Sequence, residues 1–554
     1  MTHRLLKNWF EDKGWRPFPF QKECWKAYLE GKSGLVHAPT GVGKTYAVLG
    51  GPLLEFAQLN HKKVEPLRVL WITPLRALAN DTLKSILQPI EELGLNLTAE
   101  LRHGDVSSHI RKKQLFKLPS LLIITPESLS LLFTYPETRQ RFSSLAAVIV
   151  DEWHEMLGNK RGVQTELALG RLKKWSPKLK IWGVSATLSN LPESMNVLLG
   201  DRARDACIVE GKLDKKVEVQ TLMPKDIETF PWAGHLGIRL VDQVIEHIAR
   251  VKTSILFTNT RAQTELWFEA ILKTRPQWKD QIALHHGSID RDIRKSVELK
   301  LKQEQLKVVV STSSLDLGVD FSPVEKVFQV GSPKGIARLI QRAGRSGHQP
   351  GKPSCIIGVP TNALELIEFA AARDARKQNE IEARAPTIKP LDVLIQHIVT
   401  VAAEGKTQIQ DLKDEILSSN AYKDLTEDEW EWALNFVTQG GKALSAYPQY
   451  TKVVIEPNNV LTVPSKQTVH FHRMSIGTIT ADSQVLVKFL QGRLLGSVEE
   501  SFITRIKPGD IFQFAGKRLK LIRFKDLTAY VRLAKSSKNT RPVGREDELH
   551  SPPS

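Results

Sequence analysis

The sequence predicts an α/β protein: two tandem parallel-sheet lobes, then a winged-helix domain and a small β-barrel-like module. Three observations predict it. Across the first 385 residues, short apolar, β-branched runs alternate with helical-looking stretches. Around Lys389 the texture changes to three short helical periods followed by two strand-like runs. From His470 the pattern becomes alternating and all-β, punctuated by Pro508-Gly509-Asp510 and Ala515-Gly516-Lys517.

The first series of runs is 34–37, 69–73, 121–125, 147–150 and 181–184; the second is 254–257, 308–311, 326–330 and 355–359. Strands that alternate with helices form parallel sheets covered on both faces. Nine such runs exceed one comfortable sheet, and residues 201–225 carry no strong core pattern, so the boundary falls there. The expected divisions are lobes at 1–208 and 209–384, a winged helix at 385–464, a β module at 465–535 and a tail at 536–554. The winged helix rests on helices at 390–403, 408–418 and 427–438 and strands at 452–456 and 460–463. The β module rests on runs at 477–480, 485–489, 511–514, 519–523 and 530–533. The tail is polar, contains three prolines and reads as disordered.

The 554 residues are 41% hydrophobic and 25% charged, an ordinary soluble composition that excludes wholesale disorder and collagen-like rods. No window approaches the ~18 uninterrupted apolar residues that cross a bilayer, so no membrane association is expected. The N-terminus meets charged residues at once and shows no signal-peptide core. Cys24, Cys207 and Cys355 lie far apart, offering neither a zinc pattern nor a disulfide framework, and a cytoplasmic location is expected. Lys plus Arg number 78 against 61 Asp plus Glu, and the net charge of +17 fits a polyanionic partner such as nucleic acid.

In parallel sheets, ligands bind outside the carboxyl ends of the strands. Ala38-Pro39-Thr40-Gly41-Val42-Gly43-Lys44-Thr45 stands there, between a strand and a helix. Gly41 and Gly43 let backbone N–H groups curl around an anion, beginning at Thr40. Lys44 is placed to reach β- and γ-phosphates, and the Thr45 hydroxyl to ligate Mg²⁺. Asp151-Glu152-Trp153-His154 follows another strand. Asp151 suits Mg²⁺, Glu152 can orient and deprotonate an attacking water, and His154 can link this site to its neighbours. His154-Glu155 begins like a zinc-protease helix, but Gly158 occupies the position of the second His. Upstream, Gln21 offers a donor and acceptor edge for adenine. In the second lobe, Gln341-Arg342-Ala343-Gly344-Arg345-Ser346-Gly347-His348 carries two arginines three apart, on one face if helical. Arginine suits charge spread over a transferring phosphoryl group. Asp320 is a candidate for ribose or for Lys/Arg groups.

Together with Thr73–78, Thr125-Pro126-Glu127-Ser128-Leu129, Ser185-Ala186-Thr187, Phe257-Thr258-Asn259-Thr260-Arg261 and the run 313–320, these motifs resemble the superfamily 2 helicases in order and spacing. The wording Asp-Glu-Trp-His-Glu and Gln-Arg-Ala-Gly-Arg-Ser-Gly-His, with the parts after residue 385, resembles the Lhr (large helicase-related) family. Its ligase-associated DNA-damage branch is the nearest in wording.

The resemblance implies two RecA-like lobes, ATP and Mg²⁺ as cofactors, and DNA-dependent hydrolysis coupled to 3′-to-5′ movement on single-stranded or tailed DNA. By motif match, His154, Ser185, Thr187 and Gln341 couple hydrolysis to motion, and Arg76, Thr125, Thr258 and Thr312 hold the nucleic-acid backbone. ATP would bridge the Lys44 lobe and the Arg342/Arg345 lobe. Nuclease or ligase partners in DNA repair follow from the resemblance alone. Family members continue past the barrel with a further helical stretch, so a shortened C-terminus is expected. The alternatives are an RNA or RNA:DNA helicase and an ATP-gated clamp that binds without unwinding. A transport ATPase is disfavoured, because no Leu-Ser-Gly-Gly-Gln signature follows the phosphate loop.

Overall fold

The computed structural model describes residues 3–59, 66–211, 217–224, 237–316, 324–346, 354–378, 380–440, 451–476, 484–490, 492, 494–499, 506–525, 528–534 and 540–542. The chain forms two compact units, Met1–Leu213 with Ala383–Thr480, and Asp214–Glu382 with Ala481–Ser554.

The first unit contains a seven-stranded parallel sheet. Its strands are β1 (Gly34–His37), β2 (Val69–Ile72), β3 (Ala99–Arg102), β4 (Leu121–Ile124), β5 (Ala147–Val150), β6 (Lys180–Ser185) and β7 (Cys207–Glu210), in the order β3-β4-β2-β5-β6-β1-β7. Strands β2, β4 and β5 are buried at every residue because helices cover both faces. Their alternate side chains feed two cores: Val69, Trp71, Ile123 and Ile149 on one face, Leu70, Ile72, Ile124 and Val148 on the other. The sequence leaves β3 and β7 unassigned. Both are edge strands, partly exposed and punctuated by Glu100, Arg102 and Glu210, so they lack an apolar run.

The winged helix belongs to the same unit. Helices Leu391–Glu404, Ile409–Leu417 and Glu427–Gln439 pack with β14 (Thr407–Gln408), β15 (Val454–Glu456) and β16 (Val460–Thr462), an antiparallel sheet in the order β14-β16-β15. Thr426 and Glu429 close a capping box on the third helix. Its core of Leu394, Leu412, Ile416, Trp430 and Leu461 also takes Val163 and Leu167 from the helix Lys160–Trp175. Buried Arg171, from that helix, is neutralised by Glu415 at 3.2 Å and by Glu404. Residues 466–475, placed in the β module by the sequence, are a helix capped by Ser465. Arg473 fixes it, stacking 3.8 Å over the Tyr135 ring and donating to the Thr134 carbonyl at 2.7 Å.

The second unit holds a six-stranded parallel sheet in the order β10-β11-β9-β12-β13-β8. Its strands are β8 (Val217–Thr221), β9 (Ser254–Phe257), β10 (Ile282–His285), β11 (Val308–Ser311), β12 (Lys326–Val330) and β13 (Ser354–Val359). The boundary stretch therefore supplies an edge strand to each sheet. A second, curled sheet comprises β17 (Gln484–Phe489), β18 (Leu494–Glu499), β19 (Ile511–Phe514), β20 (Lys517–Lys525), β21 (Thr528–Leu533) and β22 (Thr540–Pro542). Register shifts at Val487/Lys488 and Leu521/Arg523 bend it around its own core of Val485, Phe512, Leu519 and Val531. Gly496 bridges to Ile289, and a Cβ there would stand 1.7 Å from the Ser288 carbonyl oxygen. Of the tail expected to be disordered, residues 540–542 pair with Ile511–Gln513; the rest, like the expected run 477–480, lies outside the described residues. Among the described residues, no helix is long and apolar enough to cross a membrane.

Candidate active site

Strand β1 delivers the chain to the glycine turn. Gly41 and Gly43 hold φ of 82° and 76°, the left-handed backbone that glycine adopts without strain. Lys44 opens the helix Lys44–Leu59, with Thr45 one residue on and Thr40 at the turn's approach. The Lys44 ammonium is nearly buried and donates to the carbonyls of Ala38 at 2.9 Å and Pro39 at 3.2 Å.

Gln21 reaches this turn from the helix Pro19–Leu29. Its Oε1 accepts from the Phe18 N–H at 2.8 Å, and its Nε2 donates to the Gly43 carbonyl at 2.9 Å. Where the sequence offers the amide to adenine, the structure engages both of its ends with backbone. Gln21 therefore clamps the N-terminal segment to the phosphate turn.

Asp151 and Glu152 follow β5. The buried Asp151 carboxylate accepts from Trp71 Nε1 at 3.2 Å and from the Glu152 N–H at 2.9 Å. Burial first, and then the neighbouring Glu152 charge, raise its pKa; Trp71 and Lys44 oppose them. Glu152 stands at φ 45°, a left-handed conformation that costs a non-glycine residue on the order of 1–3 kcal/mol and marks functional sites.

His154 lies behind the carboxylates, fully buried. Its Nδ1 is 3.3 Å from Ser185 Oγ, 3.4 Å from Glu152 Oε2 and 3.5 Å from the Ala186 nitrogen. Burial is the main cause that lowers its pKa to about 3, so the ring is neutral at pH 7. The depressed value means that the folded state refuses a proton that the unfolded chain accepts. The resulting stability is complete above the unfolded pKa of ~6.5 and is lost as pH falls toward 3. His154→Gln is expected to lower proton uptake on unfolding at pH 5 by about one proton. Calorimetry in buffers of different ionisation enthalpy checks this.

Four neighbouring strands, β2, β5, β6 and β1, end in buried polar atoms that carry no hydrogen bond: Thr73 Oγ1, Glu152 Oε2, Thr187 Oγ1 and His37 Nδ1. An unmet buried polar group costs roughly 1–3 kcal/mol. Four on one rim, around a glycine turn and two carboxylates, fit a bound polyphosphate with its cation. Elsewhere on the unit, Arg76 is exposed and pairs with Asp105 at 2.9 Å. Thr125 is buried and donates to Ser128 Oγ at 3.1 Å.

In the second unit, the helix Ile336–Ala343 ends between the two arginines, so Arg342 and Arg345 do not share a helical face. Arg342 is 1% exposed. It forms a fork on Asp316, at 2.7 Å and 3.0 Å, donates to Gln329 Oε1 and lies 4.6 Å over the Phe257 ring. That guanidinium is committed to the interior. Arg345, half-buried, donates to the Asp316 carbonyl at 2.9 Å. Gln341 is buried, and Asp320 lies outside the described residues. Thr258 is fully buried with its hydroxyl 2.6 Å from Thr264 Oγ1, which leaves Thr260 as that motif's exposed hydroxyl. Thr312 is half-buried at the start of a short 3₁₀ turn. Sequence reasoning missed Asp316 and Trp71. The signal for Asp316 was an arginine between Gln341 and Ala343 on a helix against the sheet, whose burial demands a counter-charge.

Three family models match: the DEAD/DEAH box helicase at 18–194, the helicase conserved C-terminal domain at 237–349, and the large helicase-related protein winged helix domain at 374–541. The chain is 32% identical to the ATP-dependent helicase Lhr-Core of Methanocaldococcus jannaschii over 99% of its own length and 65% of that protein's. With the Lhr-Core of Sulfolobus acidocaldarius it shares 32% identity over 97% of this chain and 62% of that one. It thus spans slightly less than two thirds of these relatives. The structure of Mycobacterium smegmatis helicase Lhr bound to ssDNA and AMP-PNP superposes with a TM-score of 0.75 at 28% identity, covering 95% of this chain and 67% of that one. Two RecA-like parallel sheets, an Lhr-type winged helix, a curled C-terminal sheet and near-full-length similarity make this chain a member of the Lhr helicase family.

Proposed function

We propose that the chain is an ATP-dependent helicase or translocase moving 3′ to 5′ on single-stranded DNA in DNA repair. The observation that carries the motor reading is the rim of four buried polar atoms without a hydrogen bond, Glu152 Oε2 among them, at the strand ends beside Lys44 and Asp151. The neighbouring family structure, bound to ssDNA and AMP-PNP, supports the choice of ligands. Direction, repair role and any nuclease or ligase partner rest on the family resemblance. The scattered cysteines, free among the described residues, support a cytoplasmic setting.

In this reading, Mg²⁺–ATP supplies the anhydride and the charge neutralisation at its γ-phosphoryl group. The N–H groups of Gly41 and Gly43 cradle the phosphates, and Lys44 leaves its carbonyl partners to meet them. Thr45 and Asp151 would hold Mg²⁺. Glu152 Oε2 accepts the proton of the attacking water. His154 relays the state of Glu152 to Ser185 and Thr187. Arg345 is the candidate for stabilising transferred charge, with Arg342 and Asp316 fixing its segment. Arg76 exchanges Asp105 for a nucleic-acid phosphate, an interaction blind to sequence and sensitive to salt.

The two arginines separate experimentally. Arg345→Ala is expected to slow hydrolysis by roughly 10³-fold or more with little change in melting temperature. Arg342→Ala removes both hydrogen bonds of the fork on the buried Asp316 carboxylate, leaving Arg338 at 3.7 Å, and is expected to cost about 3–5 kcal/mol of stability. Steady-state ATPase and denaturant unfolding on both variants check this.

Strand displacement on 3′-tailed and 5′-tailed duplexes, with DNA or RNA loading strands and ATP withheld as a control, tests the proposal. Displacement from the 3′-tailed DNA substrate supports it. Preference for 5′ tails removes the direction, preference for RNA removes the substrate, and binding without displacement points to a clamp.

A further inference from the structure

The chain crosses from one compact unit to the other at the Glu382–Ala383 peptide. On each side of that peptide a charged side chain is committed to a motif. In the unit that Glu382 closes, its carboxylate accepts from the N–H groups of Ile336 at 3.0 Å and Ala337 at 3.2 Å. These open the helix Ile336–Ala343, which carries Gln341 and Arg342. Gly335, at φ 138°, leaves space for this carboxylate: a Cβ would stand 2.2 Å from Glu382 Oε1.

In the unit that Ala383 enters, Arg384 Nη1 donates to the His154 carbonyl, and Nη2 lies 3.4 Å from Glu155 Oε1. The Arg384 backbone is held by Asn190, whose Nδ2 donates to its carbonyl at 3.2 Å and whose Oδ1 accepts its N–H at 3.4 Å. Asn190 is three residues past Thr187. The next carbonyl, of Ala385, lies so close to Gly158 that a Cβ there would be 2.8 Å away. A connector that merely spans two bodies needs none of this. Here Glu382 grips the start of the Gln341 helix in one unit, while Arg384 and Ala385 hold the chain to His154, Glu155, Gly158 and Asn190 in the other.

We propose that Glu382 and Arg384 are positioning residues that make this crossover strap the element transmitting hydrolysis to strand movement, an inference that rests on the motor reading above. Two latches joined by a single residue cannot shift independently. A change of backbone at His154 is therefore felt at the start of the Gln341 helix through covalent bonds. Arginine suits its end, because its fork serves a carbonyl and a carboxylate at once, which an ammonium does not. Glutamate suits the other, because two first-turn N–H groups and the helix dipole favour an anion.

The test uses the full chain and the variants Arg384→Ala, Arg384→Lys, Glu382→Ala and Glu382→Gln. Base pairs opened per ATP hydrolysed, nucleotide affinity and melting temperature are measured together. For both alanine variants, base pairs opened per ATP are expected to fall roughly 2- to 30-fold, while affinity and melting temperature hold. Arg384→Lys is expected to fail to rescue, and Glu382→Gln to rescue in part through its carbonyl oxygen. Unchanged base pairs per ATP in the alanine variants of a working motor overturn the strap alone. A loss that tracks the melting temperature overturns it too, by reducing both residues to structural supports. A wild-type chain that opens no duplex with ATP overturns the motor reading and the strap with it.

Discussion

Lys44→Ala is expected to reduce ATP turnover to background while DNA binding without nucleotide persists. The side chain is 8% exposed, and its ammonium donates to the carbonyls of Ala38 and Pro39. A cation at the first residue of a helix, beside a glycine turn, is placed to meet an anion bound there. Removing one preorganised donor from developing charge costs on the order of 10²–10³-fold in rate, and a full positive charge costs more. The groups in motifs matched to strand contact, Arg76 at the start of its helix and Thr260 and Thr312 in the second unit, belong to elements other than the glycine turn. DNA affinity without nucleotide is therefore expected to stay within about threefold, since phosphate contacts are additive and salt-controlled. Steady-state ATPase with fluorescence-anisotropy titration of a labelled oligonucleotide checks both halves. Retained turnover would remove the glycine turn from the phosphate site.

The parts of this molecule that were legible in its sequence are those where local chemistry and buried pattern agree. Strands β2, β4, β5, β9 and β11 are buried at every position and read as unbroken apolar runs. The glycine turn needs φ values that no other residue accepts easily, so its spacing announces itself. Edge strands carry no such signal. In β8 only alternate residues are half-buried, and β3 carries Glu100 and Arg102. Burial of Arg342 was invisible for a different reason. Its partner Asp316 lies 26 residues upstream, and only the sheet brings the two together. The spacing of the two arginines suggested one helical face, but Gly344 ends the helix between them. His154 was readable as a link because its neighbours at the strand ends were readable; the distances to Ser185 and Glu152 follow from the adjacency of β5 and β6.

Glu152→Gln is expected to trap nucleotide and DNA together, with hydrolysis slowed by roughly 10²–10⁴-fold, the usual worth of a positioned base. The change is isosteric, and glutamine bears the left-handed backbone at φ 45° at a similar cost to glutamate, so the turn keeps its shape. What disappears is the proton acceptor: Oε2, the buried oxygen that lacks a hydrogen bond, becomes part of an amide that cannot take a proton from water. Metal binding is expected to survive and to strengthen. Glu152 is the largest charge that raises the Asp151 pKa, so neutralising it lets Asp151 ionise at lower pH. An amide nitrogen at position 152 would also donate to His154 Nδ1, 3.4 Å from the present carboxylate oxygen, and hold the ring as its neutral acceptor form. The variant is therefore expected to keep the bound arrangement while losing only the chemical step. Filter binding with labelled ATP and single-stranded DNA should show a ternary complex that outlives the wild-type one by at least tenfold. Rapid single-turnover hydrolysis by Glu152→Gln would contradict the base assignment. Failure to retain nucleotide would show instead that Glu152 carries part of the metal's coordination, and would shift the catalytic weight from Glu152 to Asp151.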